Sequence, residues 1–286
     1  MSAVKACSKN ATKLGALLKT STSLTAKAQG YWKQMSDDGA GDVAAKPDDN
    51  DSSFFRKPCI MAFDGAAYGG LNVRDTISAD ESSLGYLNDH LRIVDPLYGW
   101  LRPMDAIEAY RLEMASRDVF SSLKRDDDYP SKLQDFWKPA IASLLKDESE
   151  TARTPVVVVN LASDEYSAAV DPKAYSMAKI VFKHGGRTIA VHAKRARGLM
   201  VRYATLTKAS SLRDLQAFDW EGYTYRPSES TLLLDGDDES GIESLLVKSG
   251  GVAPDETETT TTTKTKKKAQ PLTMVFDRPG TWKRST

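Results

Sequence analysis

Only two cysteines, Cys7 and Cys59, occur in 286 residues, and they lie far apart. A disulfide framework is therefore not expected, and a reducing compartment suits the chain better. Long apolar runs are missing as well. No stretch reaches the roughly 18 residues that a membrane-spanning helix needs, so no membrane partner is expected. The N-terminus lacks the apolar core of a secretory signal. It is basic, rich in Ser and Thr and free of acid until Asp37, which leaves a transit-peptide reading open. Net charge is absent too, since 39 Lys and Arg balance 39 Asp and Glu. That balance runs against a uniformly basic nucleic-acid binder. His90, His184 and His192 have no metal-ligand spacing with one another or with the cysteines, so neither a metal nor a cofactor is expected. Walker A, G-x-S-x-G and H-E-x-x-H patterns are all missing, and no catalytic residue is assigned.

The charges that are present are unevenly placed. Acid is concentrated in Asp37–Asp51, Asp126–Asp128 and Asp235–Glu239, and the basic clusters lie elsewhere. The length suffices for one large domain or two small ones, with ordinary globular composition at 41% hydrophobic and 27% charged residues. Residues 1–35 read as a helical N-terminal segment, with Leu14, Leu17, Leu18 and Leu24 near helical spacing. Residues 36–57 read as an acidic disordered loop, 58–234 as the core, 235–270 as a low-complexity insertion, and 271–286 as a final strand and tail.

Within the core, Cys59–Phe63 reads as a strand and Asp64–Gly70 as a Gly-rich turn. Ser78–Glu81 reads as a capping box opening a helix through Val94. Residues 130–147 form an amphipathic helix, and the valines of 155–160 a strand covered on both faces. Residues 178–184 and 187–193 suggest a hairpin turning at Gly185-Gly186. Residues 218–226 and Leu272–Phe276 suggest further strands. Interleaved strands and helices define a mixed α/β class.

The most informative stretch is Val191–Tyr203. Helical spacing puts Ala196, Leu199, Met200 and Tyr203 on one face, to be buried. Arg195 and Arg202 align on one border of that face, while Lys194 and Arg197 point away. Read as the start of a helix at 194, the segment gathers three cations at the positive end of the dipole, where a bound phosphate would offset their repulsion. A solvated basic face is the plain alternative.

Two more stretches carry candidate sites. Ser163 is a good N-cap, with Asp164 and Glu165 suited to the first turn that follows. The same carboxylates follow a buried strand, where α/β proteins place ligand sites, and could partner the basic helix. Leu97–Met104, with Gly99 and Arg102, has the outline of a helix-hairpin-helix, in which backbone N–H groups near a glycine meet a phosphate. An ordinary turn between helices fits equally. Beyond it, Arg111 and Glu113 alternate with Leu112 and Met114, so the two could pair on one face of a half-buried strand.

An ordered set of segments resembles the bacterial peroxide stress protein YaaA family over roughly residues 10–280. The segments are Ala62–Leu71, His90–Ile93, Leu97–Asp105, Tyr110–Met114, Phe136-Trp137, Val159–Tyr166, Lys194–Met200 and Glu221–Tyr223. The resemblance implies a compact mixed sheet surrounded by helices, with a helix-hairpin-helix-like element. It also implies a DNA-binding cytoplasmic stress protein that limits peroxide- and iron-mediated damage through a basic cleft contacting phosphates. In a eukaryote the setting would be nuclear or organellar. DNA phosphates would then meet Gly99, Arg102, Arg111, Lys194, Arg195, Arg197 and Arg202, with Asp164 and Glu165 as acidic partners. The chain departs from the family's usual opening strand and its Ser-Pro-Ala-Lys-Thr segment, as though it began about forty residues late. An enzyme acting on a phosphorylated or nucleotide-like molecule is the alternative reading of the same residues.

Overall fold

In the computed structural model the described residues are 21–34 with Thr12, Leu14 and Leu18, then 56–117, 119–120, 130–152, 156–172, 175–231 and 272–283. The acidic loop and the low-complexity insertion expected from composition lie almost wholly outside them.

The class is mixed α/β. In chain order the elements are α1 (Thr22–Gln34), β1 (Lys57–Pro58), α2 (Cys59–Ala62), α3 (Ala66–Leu71), α4 (Val73–Ala79), α5 (Ser82–His90), β2 (Ile93–Asp95), β3 (Gly99–Leu101) and β4 (Ala106–Ile107). They continue as α6 (Leu133–Thr151), β5 (Val158–Asn160), α7 (Asp164–Ser167), β6 (Met177–His184), α8 (Ala190–Thr207), α9 (Leu212–Gln216), β7 (Thr224–Tyr225) and β8 (Leu272–Arg278). The chain divides into two units. One is Met1–Asp64, Leu84–Leu145 and Ala162–Val170; the other is Gly65–Ser83, Lys146–Leu161 and Asp171–Thr286.

The first unit buries Leu14, Leu18, Leu112, Met114, Val119, Phe120 and Leu133 in one cluster. Its hairpin β2–β3 is antiparallel, with Asp95 opposite Gly99. Asp95 is 1% exposed and organises the turn. One carboxylate oxygen accepts the N–H groups of Leu97 and Tyr98 at 2.8 and 2.7 Å, and the other accepts the Tyr110 hydroxyl. Burial pushes the Asp95 carboxyl up, against the lowering effect of these three donors.

The segment expected as a helix-hairpin-helix is thus a β-hairpin. The helix before it ends at His90 rather than Val94, and strand pairing takes up the backbone on both sides of Pro96. Cys59–Ala62 is a helical turn rather than a strand. Lys57–Pro58 already pairs with β4, and the Cys59 N–H donates to the Asp105 carbonyl. Ala66–Leu71 is a helix where the glycines suggested a turn. The cap expected at Ser78 falls instead on Asp80, whose carboxylate accepts from the Ser82 N–H and hydroxyl. Tyr110–Met114 forms no strand, yet Arg111 and Glu113 do pair, at 2.9 Å.

The second unit is built on a four-stranded sheet of order β5-β6-β8-β7. β5 and β8 run parallel to β6, and β7 is antiparallel to β8. Alternation along β6 buries Ala178, Ile180 and Phe182 on one face. α8 covers that face with Ala193, Ala196, Leu199 and Met200, and Phe218, Tyr223 and Phe276 complete the core. α3 packs against α8 so closely that a Cβ on Gly198 would stand 1.7 Å from the Ala67 carbonyl oxygen. The hairpin expected over 178–193 is a single strand followed by a helix. Gly185 and Gly186 turn the chain with φ of 61° and 77°, only the His184–Arg187 bridge continues the pairing, and α8 begins at Ala190.

Candidate functional site

α8 begins four residues before Lys194, with Ile189 as a cap that contributes no side-chain hydrogen bond. This corrects the expectation that Lys194, Arg195 and Arg197 occupy the first turn. They stand beyond the N–H groups that a helix start leaves unpaired. The expected burial of Ala196, Leu199 and Met200 is found, as is the common border of Arg195 and Arg202. Both reach the turn at Trp220–Gly222. Arg202 lies over the Trp220 ring at 5.9 Å, and Arg195 donates from Nε and Nη2 to Glu221 Oε1 at 2.9 and 2.7 Å. Arg195 Nη1 adds a bond to the Gly69 carbonyl at 3.4 Å, so this guanidinium is fixed within the unit. Lys194 is exposed and makes no hydrogen bond or ion pair with a described residue.

The remaining expected contacts are distributed as follows. Lys194, Arg195, Arg197 and Arg202 belong to the second unit; Gly99, Arg102, Arg111, Asp164 and Glu165 belong to the first. Gly99 is buried beneath Trp137, where an added Cβ would meet the indole at 2.5 Å. Its positive φ of 81° therefore fits packing, and its backbone is not presented to a phosphate. Arg102 is exposed, with its N–H held by the Asp105 carboxylate at 2.7 Å. Asp164 and Glu165 open α7 after Ser163, in the first turn where a dipole favours acid.

Sequence reasoning missed a further polar cluster. It lies where the parallel strands β6 and β8 end, with His184 opposite Arg278 in the register. Arg278 is 2% exposed. Its Nε donates to His184 Nδ1 at 2.9 Å, and its Nη1 donates to the Glu221 carboxylate at 3.3 Å and to the Glu221 carbonyl at 3.4 Å. Tyr223 and Trp282 lie on the guanidinium at 4.6 and 4.0 Å. Because arginine can only donate, His184 Nδ1 accepts, and Nε2 carries the proton toward the Gly280 carbonyl at 3.0 Å. His192 stacks on His184 with centroids 4.7 Å apart. Burial first, then the charge of Arg278 and the neighbouring His184 ring, hold the His192 imidazole below its ordinary range. Glu221 sits in the left-handed region at φ 52°, followed by Gly222 at φ 76°. The available signals were Glu221-Gly-Tyr223 and a single arginine closing an apolar strand.

The described cysteine is shielded. Cys59 donates to the carbonyls of Arg102 and Pro103 at 3.1 and 3.4 Å, and burial, then Asp105 and Asp95, pushes its thiol up to about 12. The thiolate is the reactive form, so the folded protein at neutral pH should leave Cys59 unalkylated by iodoacetamide, while urea exposes it to rapid labelling. Peptide mass spectrometry reads this directly; equal labelling with and without urea would contradict the buried thiol.

The chain belongs to the family described as peroxide stress protein YaaA, which matches residues 2–229. It is 42% identical over 181 residues to a UPF0246 protein of Methylibium petroleiphilum, covering 61% of this chain and 66% of that protein. A UPF0246 protein of Acaryochloris marina is 40% identical over 181 residues, covering 61% and 67%. One of Flavobacterium johnsoniae is 39% identical over 175 residues, covering 59% and 64%. The chain therefore spans about two thirds of the length of the curated relatives it matches. Among the described residues no helix is long and apolar enough to cross a membrane.

Proposed function

We propose that the protein acts in the peroxide stress response by binding DNA along its phosphate backbone in the cytoplasm, limiting peroxide- and iron-driven damage there. Family membership supports the stress role. The observation that carries the phosphate reading is the exposed Lys194, which pairs with no described residue, on a helix anchored on one side by α3 and on another by the sheet core. Arg102 is a second exposed cation, on the turn after β3. A chain of zero net charge can still bind a polyanion through locally exposed cations.

Phosphate contacts carry no base information, so affinity should hardly differ between unrelated duplexes. Each cation at a phosphate of duplex DNA adds roughly 0.9 to the slope of log affinity against log salt. Lys194→Ala should therefore weaken binding to all duplexes alike and make the slope shallower by about one unit. On duplexes with hydroxyl ends, Arg195→Ala, which removes a charge already paired with Glu221, should change the slope far less. Fluorescence titrations at several salt concentrations make the comparison. An unchanged slope in Lys194→Ala, or no DNA binding by the parent chain, would remove the reading.

A further inference from the structure

The cluster at the ends of β6 and β8 carries more positive charge than its own residues neutralise. Arg195 and Arg278 share one carboxylate, Glu221, and no other ion pair to either guanidinium is found among the described residues. Within this ion-paired set two cations face one anion, around an arginine that is 2% exposed; Asp277, the further carboxylate within reach of Tyr223, accepts from the Gly186 N–H instead of pairing with a guanidinium. Uncompensated buried charge is strongly unfavourable. The faces of Tyr223 and Trp282 lessen that penalty without supplying an anion. Nη2 of Arg278 has no hydrogen-bond partner among the described residues, and His192 has only its stacking contact with His184.

Three further features suit a binding site better than a structural knot. The cluster stands at the carboxyl ends of parallel strands, where open α/β sheets bind ligands. Consecutive left-handed residues, Glu221 and Gly222, hold the carboxylate, with Gly222 pressed on Trp282 so that a Cβ would fall 2.7 Å from the ring. Strain at a non-glycine residue persists where the surroundings enforce it, and such positions gather at functional sites. His184 is locked as an acceptor toward Arg278, which orients the guanidinium.

We propose that Arg278, Arg195 and His192 form a receptor for a phosphate monoester, with Glu221 and His184 as positioning residues. The charges match this ligand. Arg278, Arg195 and Glu221 together are singly positive, and a proton on His192 makes the set doubly positive, equal and opposite to a phosphomonoester dianion. The groups facing His192 are Arg278, His184 and Glu221; the first two disfavour its proton, and an arriving dianion reverses that balance. The monoester could come from a mononucleotide or from the 5′ end of DNA. This site is separate from the phosphodiester contact assigned to Lys194 and does not depend on it.

The test follows the His192 imidazole by NMR while the full chain is titrated with inorganic phosphate, thymidine 5′-monophosphate, thymidine, and duplexes with and without a 5′-phosphate. The expected result is a saturable shift of His192 and a rise in its pKa with phosphate and the mononucleotide, and none with thymidine. A response to the phosphorylated duplex that the hydroxyl-ended duplex lacks would make DNA ends a source. Arg278→Gln should weaken phosphate binding at least tenfold. Should that buried replacement fail to fold, His192→Gln keeps the proposal testable, because it should flatten the increase in phosphate affinity between pH 8 and pH 6. No shift of His192 at millimolar phosphate, or the same shift with chloride at matched ionic strength, overturns the proposal. Loss of DNA binding in Lys194→Ala with the His192 response intact would leave it standing.

Discussion

Gly198→Ala should destabilise the second unit by about 3 kcal/mol or more, toward the upper end of what overpacking produces. The added methyl would stand 1.7 Å from the Ala67 carbonyl oxygen and 2.7 Å from the Leu71 amide nitrogen. Both are main-chain atoms of α3, and neither can rotate aside. Gly70 makes the reciprocal approach, with a Cβ 2.2 Å from the Arg195 carbonyl oxygen. The helices would have to separate by more than an ångström, loosening Leu71 and Leu199, which are 3% and 5% exposed. Helix propensity works the other way, since Ala is better than Gly by about 1 kcal/mol inside a helix. The steric term is larger, so the net sign is destabilising. Gly85→Ala is the matched comparison: it also lies in a helix, with nothing within 4 Å of its Cβ, and should be neutral or slightly stabilising. Urea denaturation of the two variants decides the matter, and a Gly198→Ala midpoint equal to that of the parent would refute the tight crossing.

The same glycines show why parts of the fold were legible and parts were not. The helix at 190–207 was readable because Ala196, Leu199 and Met200 repeat at its period and face the sheet. Its first turn was hidden because no capping side chain marks Ile189. Ala66–Leu71 reads as a turn because Gly69 and Gly70 have low helix propensity. It is a helix because Gly70 lets α8 approach, a tertiary reason with no local sequence signature. Cys59–Phe63 misled in the opposite sense. A short apolar run fits a strand or a buried helical turn equally, and here pairing ended at Pro58. Leu97–Met104 could not be assigned from one glycine, because Asp95, which arranges the turn, acts through its carboxylate rather than through periodicity.

The site divides in the same way. Charge runs in a sequence announce cations without saying which are already paired. Lys194 and Arg195 are neighbours, yet one is exposed and the other is bound by Glu221, 26 residues away. Histidine spacing was judged against metal ligation, and by that measure His184 and His192 had no role. Their place comes from the strand register, which sets His184 beside Arg278 across 94 residues of sequence. Long-range pairing of this kind is invisible to spacing rules, because each partner sits alone in its own segment.

Glu221→Gln should be the most damaging nearly isosteric change in the second unit, at about 3–5 kcal/mol. The replacement keeps the shape and removes the only carboxylate paired with Arg195 and Arg278 among the described residues. Glutamine can turn its oxygen to one guanidinium, but its amide hydrogens then face the other, donor against donor. Hydration restores little to Arg278, which is 2% exposed and has Tyr223 and Trp282 against its guanidinium. Backbone strain does not alter the sign: both residues carry a Cβ, so the φ of 52° at position 221 is about equally unfavourable before and after. Charge is thus the variable being changed, and a second substitution can show it. Arg195→Gln removes one of the two cations that Glu221 holds, so the double variant should lose clearly less than the sum of the single losses. Thermal melts of the four proteins give the coupling. Additive losses would mean that Glu221 serves only to shape the turn at Trp220–Gly222, and an unshifted melt for Glu221→Gln would mean that the surplus charge is neutralised by something other than this carboxylate.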